Sequence, residues 1–340
     1  MEVRIILLTA ASILSAASGA QAADAVVVAE PEPAEYVRVC DVFGDGYFYI
    51  PGTETCLSIG GYVRFEGRFG RNRAGTSDWS FWTRGQMTFS AKNDTEYGTL
   101  SSVMTLRGNI EKIDASSTFL QEVYIDIAGL RAGMQYSWWD NDRSMSGETD
   151  VVSSNQTVHN SIRYMFADTK TFSAGVAVDE LEEAYRTKPG EGANNVGIEG
   201  QIFGKSGAVS GYLLGSYDTD TEEGAIRAIG YLDIGSTQLG VYGLWASGAN
   251  YYFEEAEWSL GAQYVIKVND KLSLTPGVQY LSNIDLDANG EFTGGDTWRA
   301  GLTLDYKIVT NLATKISVQY IDPDNAQEQV QGFVRLQRNF

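Results

Sequence analysis

The sequence alternates apolar and polar residues with a period of two, and this alternation restricts the fold more than any other feature. In the segment 57–69, LSIGGYVRFEGRF, apolar residues such as Ile59 and Phe65 occupy odd positions, whereas Arg64 and Glu66 occupy even positions. Successive side chains of a β-strand point to opposite faces. The segment is therefore predicted to be a strand with one apolar face and one polar face.

The same alternation recurs along the rest of the chain. Residues 57–340 divide into 16 such segments, at about 18 residues for each strand with its connection, and a membrane-spanning strand needs about 9–11 of these. The segments are 57–69, 81–92, 99–107, 119–127, 130–137, 158–166, 171–178, 196–203, 207–217, 225–234, 237–245, 258–268, 272–280, 298–308, 312–320 and 330–340.

The connections alternate in length, as they do in outer-membrane barrels. Short turns such as 128–129 and 235–236 alternate with long polar loops such as 138–157 and 283–295. Aromatic residues stand near many strand ends, which is typical of the girdles at two membrane interfaces. A soluble sandwich or propeller also has many alternating strands, but it does not need these aromatics. We therefore predict an all-β fold, a 16-stranded antiparallel transmembrane β-barrel at 57–340.

Composition excludes several other classes. The chain has 44 Asp+Glu against 25 Lys+Arg, a formal charge of −19, whereas a nucleic-acid-binding protein needs a basic surface. One His and two Cys leave almost nothing for a zinc or His-dependent metal site, so we expect no metal and no cofactor. Beyond the first 20 residues there is no apolar run of 18, which argues against membrane-spanning helices.

The first 56 residues are predicted to lie outside the barrel. Residues 1–22 contain a positive residue, a short apolar run and a small-x-small cleavage site, and are predicted to be a secretory signal peptide; a buried N-terminal helix is the alternative. Residues 23–56 form a periplasmic segment in this scheme. Export permits a disulfide, and Cys40–Cys56 is the natural pairing, with two buried thiols as the alternative.

The polar face is rich in charge and is expected to line a water-filled channel. Arginines cluster on the first six strands, and we name Arg64, Arg84, Arg107 and Arg163 the basic wall.

The loop at 138–157 carries Asp140, Asp142, Glu148 and Asp150, with one arginine. Folded inward, these carboxylates would face the basic wall, and the opposed charges would filter solutes by size and charge. An ordinary solvated surface loop explains the same acids equally well. The other long loops are also acidic, and an acidic entrance concentrates cations. We therefore expect a preference for cations.

An enzyme is the main alternative to a channel. A barrel phospholipase or protease needs a nucleophile with a base, or a carboxylate with a histidine. The single histidine lies in the sequence His159-Asn160-Ser161, whose neighbours point to opposite faces of a strand and cannot form a triad locally. We expect His159 to be a lumen or loop residue and the protein not to be an enzyme. A structural or adhesive barrel is the third possibility.

Two stretches carry a family resemblance. Residues 36–65, YVRVCDVFGDGYFYIPGTETCLSIGGYVRF, and residues 334–340, VRLQRNF, resemble the signature and the terminal strand of the alphaproteobacterial porin family. The resemblance implies a 16-stranded trimeric porin of the Gram-negative outer membrane, which passes small hydrophilic solutes and ions by passive diffusion. It further implies that the third loop, 138–157, folds into the lumen as the constriction loop.

The resemblance also implies partners. These are two further copies of the chain, outer-membrane lipid and lipopolysaccharide, and the barrel assembly machinery, for which Phe340 is the expected signal. Arg338 departs from the wider outer-membrane pattern, because an apolar residue is usual third from the end. Recognition is then expected to depend more on Phe340, Leu336 and Val334.

Overall fold

Each alternating segment forms a strand that pairs with its neighbours along the chain. The computed structural model describes residues 38–70, 78–112, 115–140, 158–181 and 196–340, which fall in the compact unit Val37–Phe340. The strands are β1 Phe48–Tyr49, β2 Cys56–Phe69, β3 Trp79–Thr95, β4 Gly98–Lys112, β5 Ala115–Ile127, β6 Leu130–Tyr136, β7 Val158–Asp168, β8 Phe172–Glu180, β9 Val196–Ser206, β10 Val209–Asp218, β11 Glu223–Ile234, β12 Thr237–Ala246, β13 Trp258–Lys267, β14 Leu272–Leu286, β15 Phe292–Val309, β16 Leu312–Pro323 and β17 Gln329–Asn339.

Strands β2 to β17 close into an antiparallel barrel of 16 strands, which confirms the predicted fold. Each strand pairs with the next, and β17 pairs back onto β2, with Leu336 opposite Phe65. Beyond the last pair, the backbone N–H groups of Gly61 and Phe340 each donate to the other residue's carbonyl oxygen at 3.0 Å. The two-residue strand β1 pairs with β2 outside this ring.

The two ends of the barrel differ in their connections. Residues 128–129 join β5 to β6, and both have positive φ, 51° at Ala128 and 84° at Gly129. Two successive residues with positive φ are what a tight hairpin turn requires. At the other end the strands run further than predicted: most of the predicted loop 283–295 belongs to strands, because β14 extends to Leu286 and β15 begins at Phe292.

The outward face is apolar, as predicted. Val63, Phe65 and Ile162 expose about half or more of their side-chain surface, whereas the polar residues between them are buried or half-buried. Aromatic rings contact one another on this face near strand ends, for example Trp79 and Phe81 at the start of β3, with ring centroids 5.1 Å apart. An exposed apolar surface closed around a barrel matches the hydrocarbon core of a bilayer.

Alternation predicts that Phe119, the first residue of the segment 119–127, lies on the apolar face with Val123 and Ile125, and this prediction is wrong. The pairing of β4 with β5 shifts between Thr105 and Leu106, so that Thr105 faces Glu122, Leu106 faces Leu120 and Gln121 is skipped. A bulge of one residue reverses the faces of the side chains on one side of it relative to those on the other side. Phe119 consequently lies opposite Arg107.

The disulfide between Cys40 and Cys56 is present, and both cysteines are buried. It attaches the segment before β2, including a short 3-10 turn at Asp41–Phe43, to the first residue of the first barrel strand. The predicted signal peptide at 1–22 and the leader up to residue 37 lie outside the described residues. Within the described ranges, no helix is both long and apolar enough to cross a bilayer.

Candidate functional site

Three residues of the basic wall lie on adjacent strands and face the interior. Arg64 of β2 is directly opposite Arg84 of β3, and Arg107 follows on β4. Each guanidinium group donates to side-chain amides: Arg64 Nε to Gln337 at 2.8 Å, Arg84 Nε to Asn109 at 2.7 Å, and Arg107 to Gln86 and Gln121 at 2.6–3.0 Å. These amides orient the arginines without neutralising them, so the surface stays positive.

Glu66 neutralises part of the positive charge beside these arginines. Its carboxylate accepts the Nε–H of Arg68 at 2.6 Å, the Nε–H of Arg335 at 2.6 Å and the indole N–H of Trp82 at 2.9 Å. Glu66 is buried beneath these donors. The interior face of β17, β2 and β3 therefore holds four arginines around the carboxylate of Glu66, namely Arg64, Arg68, Arg84 and Arg335.

Arg163 is placed differently from the other three arginines. It is 6% exposed, its Nη2 lies 2.8 Å from the carbonyl oxygen of Tyr136 and 3.3 Å from Oε1 of Glu199, and its guanidinium carbon lies 4.2 Å from the ring centroid of Trp138. A buried arginine paired with a carboxylate contributes little field to the lumen. The structure thus brings together Arg64, Arg84 and Arg107 but not Arg163.

The chain turns into the barrel where the predicted constriction loop begins. Trp138 and Trp139 follow β6 and are buried at 3% and 0% exposure. The carbonyl oxygen of Trp139 accepts a hydrogen bond from Nη2 of Arg227 at 2.8 Å, and the same guanidinium group lies over the Trp139 ring. Trp139 belongs to an apolar cluster with inward residues of β10, β11 and β12, namely Leu214, Ile229 and Leu244.

Residues 138–140, the described start of the predicted constriction loop, therefore lie on the inner side of the barrel wall. Of the four acidic residues predicted for the constriction loop, Asp140 lies within the described residues. Its backbone N–H donates to the carbonyl oxygen of Ser137 at 3.3 Å. Asp142, Glu148 and Asp150 lie outside the described residues.

A second segment, 247–257 between β12 and β13, also packs inside the barrel, which the alternating pattern did not predict. Tyr252 and Phe253 are fully buried, and the Tyr252 ring lies 6.2 Å from the Trp139 ring. The Tyr252 hydroxyl donates to Oδ2 of Asp179 at 2.5 Å. The Asn250 side chain accepts the N–H groups of Tyr252 and Phe253 and holds the turn between them. Three consecutive aromatic residues within a polar connection, in NYYF at 250–253, are the sequence signal that could have indicated this packing.

Both inward segments meet a buried polar cluster on β7, β8 and β9. Its members are His159, Asp179 and Glu199, and the backbone N–H of Trp138 donates to Glu199 Oε2 at 3.1 Å. His159, predicted to be a lumen or loop residue, lies on β7 and is buried beside Tyr251.

Comparison with known proteins gives a family for this arrangement. A family model described as "Porin subfamily" matches residues 24–338. The chain is 45% identical over 349 residues to outer membrane protein IIIA of Rhizobium leguminosarum bv. viciae, covering 98% of this chain and 93% of the relative. It is 31% identical over 381 residues to porin Omp2b of Brucella neotomae, covering 100% of both chains.

Solved structures support the same fold at low sequence identity. The outer membrane channel DcaP of Acinetobacter baumannii matches with a TM-score of 0.67 at 9% identity, covering 86% of this chain and 99% of that chain. A mutant of the Rh. blastica porin matches with a TM-score of 0.62 at 13% identity, covering 84% and 100%. The family match over nearly the whole chain, together with the closed barrel and its polar interior, shows that this chain belongs to the porin subfamily and is an outer-membrane porin, a channel rather than an enzyme.

Proposed function

We propose that the protein passes small hydrophilic solutes and ions by passive diffusion, with a preference for cations. The observation that carries this proposal is a closed barrel whose interior face is polar and whose lumen is narrowed by two inward segments, 138–140 and 247–257. Barrels of this strand number enclose an aqueous channel.

The position of the inward segments determines where solutes pass. Both segments pack against the interior of β8 to β12, around Trp139 and Tyr252. The opposite interior surface, with Arg64, Arg84 and Arg107, remains half-exposed. Solutes therefore move along the arginine side of the lumen.

Selectivity in this proposal comes from carboxylates that face these arginines. The constriction loop 138–157 begins inside the barrel at Trp138, and its acids Asp140, Asp142, Glu148 and Asp150 would lie across the lumen from the arginines. Opposed charges create a transverse field, and the excess of acids in the loops raises the local concentration of cations.

We further propose the assembly and processing that the family resemblance implies. A signal peptide at 1–22 directs export, the barrel assembly machinery recognises Phe340, and the mature chain forms a homotrimer in lipid and lipopolysaccharide. The position of Phe340 supports this recognition, because its side chain is exposed on the outside of the barrel, where β17 meets β2.

Conductance in a planar lipid bilayer tests the channel and the trimer together. The purified protein is expected to insert with ohmic conductance in increments of three equal steps. Correctly folded protein that inserts without conductance would contradict the diffusion channel, and single equal steps would contradict the trimer.

The reversal potential in a salt gradient tests the ion preference. We expect the sign of a cation-selective pore, and we expect Asp140, Asp142, Glu148 and Asp150 changed together to Asn or Gln to weaken it. A matched control neutralises four acids elsewhere, Asp287, Asp322, Asp324 and Glu328, which lie in or beside other connections between strands. An equal effect of both variants would show that the loop 138–157 does not line the constriction.

A further inference from the structure

The single histidine of the chain forms a compact donor set with two carboxylates. His159 of β7, Asp179 of β8 and Glu199 of β9 each offer one donor atom, and these atoms all lie within 4.8 Å of one another. The three residues are 4%, 1% and 1% exposed. Three adjacent, hydrogen-bonded strands hold them, so the backbone positions of the set are fixed.

The imidazole nitrogen that faces this set has no hydrogen bond. His159 Nε2 lies 3.0 Å from Asp179 Oδ1, but the oxygen lies outside the direction in which the ring nitrogen can donate. A buried nitrogen left without a partner costs free energy. A cation between the two atoms would give the nitrogen a partner.

The three side chains are already oriented by neighbours. His159 Nδ1 lies 3.2 Å from the Tyr251 hydroxyl, and Ser161 donates to Asp179 Oδ1 at 2.7 Å. Glu199 accepts from the backbone N–H of Trp138. Metal ligands are typically held by such outer partners, which fix the tautomer of the histidine and the orientation of the carboxylates.

The electrostatics also favour a cation. Two carboxylates are buried here, and Arg163 pairs with one of them at 3.3 Å. One arginine thus faces two buried carboxylates, and burying a charge that is not compensated is costly.

We propose that His159, Asp179 and Glu199 bind one divalent transition-metal ion, of which Zn²⁺ is the best match. One imidazole nitrogen and two carboxylate oxygens suit zinc, and zinc bonds of about 2.0–2.2 Å place neighbouring donors roughly 3.3 Å apart. The observed separations of 3.0 Å and up to 4.8 Å bracket this value, so rotation of the side chains completes the site.

Such an ion would stabilise the inward segments. Asp179 contacts Tyr252 of the segment 247–257, and Glu199 contacts Trp138 at the start of the constriction loop. Bound metal would therefore fasten both to the barrel wall. This inference does not depend on the ion preference of the pore.

The test uses the full protein in detergent, without a polyhistidine tag, and zinc chloride as the probe. Calorimetry and elemental analysis are expected to show one zinc per chain. Because the chain has one histidine, protein labelled with ¹⁵N-histidine gives one imidazole spectrum, in which the Nε2 resonance is expected to shift on zinc addition while the Nδ1 resonance keeps the signature of a protonated nitrogen.

His159→Gln and Glu199→Gln are expected to lose stoichiometric binding, whereas Glu328→Gln, an exposed carboxylate, is expected to retain it. Gel mobility and bilayer conductance establish that each variant is folded. Zinc binding that persists in His159→Gln would overturn the proposal. An imidazole spectrum of the folded wild-type protein that zinc leaves unchanged would also overturn it and would leave a metal-free pairing of His159 with Asp179.

Discussion

Removing one hydroxyl group from Tyr252 tests whether the segment 247–257 is held inside the barrel as described. Tyr252→Phe keeps the buried ring and its contact with Trp139, and deletes the donor that lies 2.5 Å from Asp179 Oδ2. A hydrogen bond to a buried charged group contributes about 1.5–3 kcal/mol. Since 1.4 kcal/mol corresponds to a factor of ten, a loss of about 2 kcal/mol raises the ratio of released to docked segment roughly 30-fold.

Single-channel recording measures this ratio directly. Release of the segment widens the lumen, so we expect time spent at a higher conductance level to increase by that factor relative to wild type. Tyr97→Phe is the matched control, because Tyr97 is 70% exposed in the turn between β3 and β4. Dwell times that are equal in wild type and Tyr252→Phe, in channels of normal insertion, would refute the view that this hydrogen bond holds the segment in the lumen.

Three further substitutions test other contacts. Glu66→Gln removes the negative charge between two arginines. The energy of an ion roughly 7 Å from this charge is about 0.6 kcal/mol in water, and screening at 0.15 M salt reduces it to about 0.25 kcal/mol. Because cations and anions are affected with opposite sign, the ratio of cation to anion permeability, measured by reversal potential, is expected to fall about twofold, and more at lower salt. Trp139→Ala leaves a cavity and is expected to cost about 3–5 kcal/mol, seen as a lower unfolding temperature on gels, whereas Trp79→Ala, on an exposed side chain, is expected to cost much less. Cys40→Ser with Cys56→Ser opens a loop of 16 residues and is expected to cost about 3 kcal/mol while single-channel conductance stays unchanged; altered conductance would contradict a purely stabilising role.

Strand number and the direction of most side chains were predictable because membrane and water impose a strict alternation. On β2 the pattern is unambiguous: Val63 and Phe65 face outward, and Arg64 and Glu66 face the lumen. Lipid contacts the outer face of each such strand and water contacts the inner face, so the polarity of a residue indicates the face on which it lies.

Alternation was weaker where the lumen itself is apolar. Leu214, Ile229 and Leu244 face inward yet are apolar, because they pack against Trp139 rather than against water. Arg227 lies among them and is fully buried, with its Nη2 bonded to the Trp139 carbonyl oxygen. A period of two in polarity arises only where one face of a strand contacts water, and in this part of the barrel neither face does.

Contacts between distant segments could not be read from local patterns. The bulge beside Thr105 changes the face of Phe119 although nothing in that stretch marks a turn. Composition, with one histidine, likewise gave no sign that the register of β7, β8 and β9 places His159 beside two carboxylates. Counting residues gives the number of donors, but only the strand pairing gives their proximity.

The pairing of β17 with β2 also has a consequence for the order in which the barrel forms. Its side-chain contacts join residues far apart in sequence: Arg335 bonds Glu66 across 269 positions, and Arg64 bonds Gln337 across 273. Contacts of such separation form slowly, because a long loop must be closed before they contribute stability. Until they form, β2 and β17 present two unpaired edges, and an unpaired edge in lipid is very costly. Ring closure and membrane insertion are therefore expected to occur as one kinetic step, with the Glu66 pairs among the last native interactions to appear.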